Sequence, residues 1–143
     1  MNSVIVQSSR ETVRSRAEFL RDKQQALYST LVAHERTLSN AMTEHYKRMD
    51  DPANRGKDLR VDRAENNAWD EFDRDYALVQ IIASPKVRDE YGAIYFVYSS
   101  MRYTLSHHRD DEPWQLGYKS AAAGLEAYRR DFFDAARADM GNR

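Results

Sequence analysis

From Ser8 onward, apolar or small residues return at alternating steps of four and three: Val13, Ala17, Leu20, Gln24, Leu27, Leu31, His34, Leu38, Ala41, His45 and Met49. That spacing keeps one face of an α-helix in line and is heptad-like, with polar interruptions at Gln24, His34 and His45. Ser8 and Glu11 have the spacing of a capping box, so the first helix is expected over residues 8–50. Pro, Asn and Gly crowd "DDPANRGKD" at Asp50–Asp58 and mark a loop. A second helix is expected over 58–83, with Val61, Ala64, Ala68, Trp69, Phe72, Tyr76, Val79 and Ile82 facing one way. Ser84 before Pro85 is a helix start, because the serine caps free amides and proline lacks only an N–H that would be unpaired there. The third helix follows over 85–106, on Val87, Tyr91, Ile94, Val97, Tyr98, Met101 and Leu105. A fourth is expected over 113–140, ending at Gly141.

Short connections place successive helices antiparallel. The expected fold class is therefore all-α: a single-domain, up-down-up-down antiparallel four-helix bundle over residues 1–143, with a long first helix. That helix exceeds the others, so its surplus should overhang, bend or pack on a second copy. Self-association as a homo-oligomer is the corresponding expectation. Pairs such as Glu44–Arg48, Asp70–Arg74 and Glu126–Arg130 suit exposed faces, each worth about 0.2–0.5 kcal/mol, so core burial has to hold the structure together.

Composition narrows the function classes. The 143 residues carry 41% hydrophobic and 31% charged residues, with only 5 Gly and 3 Pro, a balance suited to folded helices. Without cysteine there is no disulfide, thiolate chemistry or Cys-ligated zinc. The net charge is −1; residues 1–72 hold 12 charges of each sign, and residues 73–143 hold 10 basic against 11 acidic. Nucleic-acid binders show a basic surplus that is missing here. The nearest cluster, Arg10, Arg14, Arg16, Arg21 and Lys23, has Glu11, Glu18 and Asp22 interleaved and reads as a solvated helix face. No nucleic-acid partner is expected. The apolar run in "MNSVIVQSSRE" is too short for a signal segment or membrane span, so the expected location is cytoplasmic.

Candidate chemistry is sparse. "SHHRDDEPW", Ser106–Trp114, contains the H-R-D triplet of a kinase catalytic loop, but the glycine-rich loop, strand lysine and D-F-G are absent. Its residues His107, His108, Asp110, Asp111 and Glu112 are metal-ligand types, yet adjacent loop residues diverge. Histidines at a helix C-terminus and acids at the next N-terminus suit the two helix dipoles, so the stretch reads as a turn. A di-iron bundle would need Glu-x-x-His repeats. The residues three before His34, His45, His107 and His108 are Leu31, Met42, Thr104 and Leu105, so no metal or cofactor is expected. No catalytic residues emerge, and the reading is of a non-enzyme. An alternative is a bundle that binds a small ligand or cofactor in an internal pocket lined by His34, His45, Tyr91 and Tyr98. In the third helix, "YGAIYFVYSSMRY" is dense in aromatics. Tyr91 and Tyr98 lie on the seam, while Tyr95, Phe96 and Tyr103 lie off it and are the candidate interface with a protein partner.

Two stretches, "YALVQIIASPKVRDEY" (Tyr76–Tyr91) and "FFDAARADMGNR" (Phe132–Arg143), cover about a fifth of the chain. They resemble small uncharacterised helical proteins of actinobacteria, in which an A-x-V-x-L-x-A-S-P-x-V-R boundary and a terminal F-x-A-A-R-x-D-L-G segment recur. Many such proteins begin with a membrane-spanning helix; nothing before Ser8 here could span a bilayer. The resemblance implies a bundle of bacterial or bacteriophage origin and brings no activity with it. The reading favoured on these grounds is a helical bundle that acts by protein–protein contact.

Overall fold

The computed structural model describes residues 2–108 and 113–141, with side chains described from Ser9 onward. Every regular element in this range is helical: α1 (Asn2–Asp50), a single 3-10 turn at Pro52–Asn54, α2 (Arg63–Ile82), α3 (Pro85–His107), α4 (Trp114–Ala123) and α5 (Leu125–Asp139). No strand occurs among the described residues. Gly124 is a helical break between α4 and α5, with φ −86° and ψ −8°, and its carbonyl still accepts from Tyr128 N–H at 3.2 Å. The two segments are thus one rod with a joint, giving four rods among the described residues.

The ends of the elements follow from local chemistry. α1 already runs helically through Ser8, so that serine is not its cap. α2 starts at Arg63 instead of residue 58 because two aspartates organise the preceding stretch. Asp58 accepts from Arg60 N–H at 3.2 Å and from its guanidinium at 3.0 Å. Asp62 then caps the helix by accepting from Glu65 N–H at 2.9 Å. Val61, expected on the buried seam, is consequently 81% exposed. Ser84 caps α3 at Val87 N–H, 3.3 Å, with Pro85 opening the helix. Gly141 adopts φ +72°, the left-handed conformation that suits glycine and stops α5.

The core is built from side chains of all four rods, with Leu31, Leu38, Met42, Phe72, Val79, Val87, Tyr91, Ile94, Tyr98, Leu105 and Phe132 essentially inaccessible. Each fully buried apolar side chain of this kind contributes about 1.5–3 kcal/mol. Phe72 sits among Tyr91, Tyr95 and Tyr98 at ring separations of 5.2, 5.9 and 5.3 Å, and Tyr91 reaches Phe132 at 5.8 Å. Gln24 bonds the Ile82 carbonyl, His34 meets Asp75 and His45 meets Glu65, so α1 contacts rise along its length as those of α2 fall. Arg48 pairs with Asp62 across the connection, and the expected helical partner Glu44 pairs with Lys47 instead.

Candidate functional site

Two features stand out: buried polar networks inside the body, and a length of α1 outside it. The central network begins at Glu35, which lies on the α1 face between Leu31 and Leu38. Its Oε1 accepts from Tyr98 O–H at 2.5 Å and from Arg129 Nε at 2.5 Å. Arg129 Nη2 also donates to Ser39 Oγ at 2.8 Å and to Tyr98 Oη at 2.9 Å. Burial alone would depress the Arg129 guanidinium, but its bonds to Glu35 and Tyr98 hold its pKa above the ordinary arginine value. Burial and the adjacent Glu35 carboxylate push the Tyr98 phenol well up, so it stays a neutral donor.

A second network joins α1 to α2. His34 Nδ1 lies 2.6 Å from Asp75 Oδ2, and its Nε2 lies 3.4 Å from Glu71 Oε2. Burial raises the Asp75 pKa above 3.8, with the bond to His34 pulling the other way. A third network is the most enclosed. His45 Nε2 donates to the Leu59 carbonyl at 2.6 Å, tying the connection before α2 to α1. Its Nδ1 lies 3.4 Å from Glu65 Oε2, both residues are fully buried, and Arg102 Nη1 lies 3.9 Å from Glu65 Oε1. The Arg102 guanidinium rests on the Trp69 ring at 4.8 Å. Burial, then the charge of Glu65, raises the nearby Tyr118 phenol to about 12.

The candidate pocket residues therefore sit in separate places. His34 and His45 belong to different networks, Tyr98 belongs to the central one, and Tyr91 is packed in the core with its O–H donating to the Phe72 carbonyl at 3.1 Å. Three open clefts lie elsewhere. One of about 570 Å³ is lined by the connection from Met49 to Arg60 together with His108, Trp114 and Gln115. Among the described residues no group of three or more His, Asp and Glu is placed to hold a metal ion. At the end of α3, His107 Nδ1 donates to the Tyr103 carbonyl at 3.3 Å and His108 Nδ1 to the Thr104 carbonyl at 3.0 Å. Both histidines thus bond back onto carbonyls in the last turns of their own helix. Arg109, Asp110, Asp111 and Glu112 lie outside the described residues.

Of the candidate interface residues, Phe96 and Tyr103 are exposed, at 77% and 66%. Tyr95 is partly covered: its ring stacks on Tyr76 at 4.2 Å, and its O–H donates to Asp73 at 2.5 Å. Sequence reasoning missed Glu35, Glu65, Asp75, Arg102 and Arg129. A signal for Glu35 was present, since it stands four after Leu31 and three before Leu38 on one helical face.

The outer length of α1 is the other feature. Every residue from Ser9 to Lys23 is exposed, and Gln24 is the first partly covered side chain. Residues 2–23 make an arm of about 33 Å at 1.5 Å per residue. The stripe that the body covers below Gln24 continues along it as Ala17, Leu20 (48% exposed) and Val13 (66% exposed). No helix among the described residues is long and apolar enough to cross a membrane. No protein family, curated protein or solved structure matches this chain.

Proposed function

We propose that this protein is a non-catalytic, up-down-up-down four-helix bundle that works by protein–protein contact, with the α1 arm as its contact element. The observation that carries the proposal is the open apolar stripe of the arm, which continues a face that is buried wherever other helices reach it. Leaving Val13 and Leu20 in water forgoes the burial energy that the rest of α1 obtains. Contacts support the topology: Tyr28 reaches Asp139 and Glu35 reaches Arg129, while Phe72 meets Tyr91 and Asn66 meets Arg102. Each pair has one number rising as the other falls, as antiparallel neighbours require. The non-catalytic reading is supported by His34, Glu35, His45 and Asp75 being engaged in contacts between helices or with the backbone.

Paired measurements on the wild-type chain and the Val13→Asp, Leu20→Asp double variant test the proposal. Light scattering gives the mass in solution, and affinity capture from cells of the source organism gives the retained proteins. The variant is expected to lose retained proteins, or to fall in mass toward 16.7 kDa, with its melting temperature unchanged. The same mass and the same retained proteins for both chains would overturn the proposal.

A further inference from the structure

We infer that the arm is built for a helix of another protein whose apolar stripe is flanked by acidic residues; this rests on the arm being a contact element. The argument starts from where each charge falls on the helix. At about 100° per residue, Val13, Ala17 and Leu20 lie along one line of α1. Arg16 and Lys23 fall beside that line on one flank, and Arg10, Arg14 and Arg21 on the other. Glu11, Glu18 and Asp22 fall together on the face behind it. A sequence that looks charge-balanced therefore folds into an apolar line with cations on both borders and its acids turned away. Phe19 lies off the line, with Lys23 Nζ over its ring at 5.2 Å.

The form of the occupant follows from continuity. Below Gln24 the same face of α1 is covered by α2 and α5, so a helix is the shape that the stripe already accepts. The charge of the occupant follows from the borders. Residues beside a helical seam meet the borders of the partner seam and select it by sign. A second copy is a poor occupant on that rule. In a parallel pairing the Arg16 border of one copy meets the Arg21 border of the other, and in an antiparallel pairing like borders meet. Cations face cations in both cases. Glutamates or aspartates at those positions would instead complement all five cations, and would speed encounter at low salt. A lipid surface is less well matched over Ser9 to Lys23, the part of the arm whose side chains are described, where Val13, Ala17, Leu20 and the off-line Phe19 are the apolar residues able to enter it.

The test uses the full chain and three probes: a labelled three-heptad peptide with Leu at the seam and Glu at both borders, the same peptide with Lys at the borders, and phosphatidylserine-containing vesicles. Fluorescence anisotropy is expected to show saturable binding of the Glu peptide that weakens as salt rises. The Lys peptide is expected to bind at least about tenfold more weakly. Arg16→Glu, Lys23→Glu and Leu20→Asp should each weaken the Glu peptide by several-fold or more without changing the melting temperature. Equal binding of the two peptides, no Glu-peptide binding below about 1 mM, vesicle binding in place of peptide binding, or a wild-type dimer that Leu20→Asp dissociates would each overturn the inference. Should the Glu peptide fail while captured proteins still depend on Val13 and Leu20, the inference fails and the contact-arm reading stands. Failure of both removes the arm from consideration.

Discussion

Glu35 occupies a position in α1 whose neighbours on the same face, Leu31, Leu38 and Met42, are completely buried. A lone carboxylate there would be costly, and Arg129 and Tyr98 together make its burial tolerable. Removing one member should therefore hurt more than removing the pair. Arg129→Met is expected to cost about 3–5 kcal/mol in denaturant unfolding, whereas Glu35→Leu combined with Arg129→Met should recover much of that loss. A double variant no more stable than Arg129→Met would contradict this account. Asp75 presents the opposite case. Its pKa is raised in the folded state, so its stabilising contribution is complete below pH 3.8 and is lost as pH rises through the raised value. Asp75→Asn, which can still accept from His34 Nδ1–H, is expected to flatten that part of the profile and to leave stability at neutral pH equal or higher. Chemical denaturation across pH 4–8 measures both effects.

Caps and breaks decide the shapes of the elements. Gly124 interrupts the fourth rod although its backbone angles are helical, so alanine should be accepted there. A Cβ would lie 3.3 Å from Tyr128 Cε2, a tight contact with a partly exposed ring that can move aside. Gly124→Ala is expected to stabilise the protein by up to about 1 kcal/mol through helix propensity, read as a higher melting temperature; a fall would mean that the break is required by packing. At this scale much was legible in the sequence. The end of α1 at Asp50, just before Pro52, and the start of α3 at Ser84-Pro85 are readable because capping and proline geometry are local. The start of α2 was misplaced because Asp58 and Asp62 both resemble caps, and the bond from His45 that ties the Leu59 carbonyl to α1 forms only when the chain is folded. The buried line of α1 was drawn through His34 when its centre passes through Glu35. An acid does not declare a buried partner that lies 94 positions away in Arg129. The outer position of Phe96 and Tyr103 was readable from periodicity; the stacking of Tyr95 on Tyr76 was not, since it depends on how α2 meets α3.

For the whole molecule, the contrast is between the part of α1 inside the body and the part outside it. Leu31→Ala is expected to cost about 2–5 kcal/mol by opening a cavity between packed helices. Leu20→Ala, on the same stripe but above the covered region, should change unfolding free energy by less than about 0.5 kcal/mol. Comparable losses at both positions would mean that the arm folds back onto the body. Arg10, Arg14, Arg16, Arg21 and Lys23 all fall in the uncovered turns, so trypsin can reach their bonds once those turns fray, without unfolding the body. On the reading proposed above, a cut after Lys23 would remove the contact element and leave a trimmed domain that melts as before, so binding and folding would be separable.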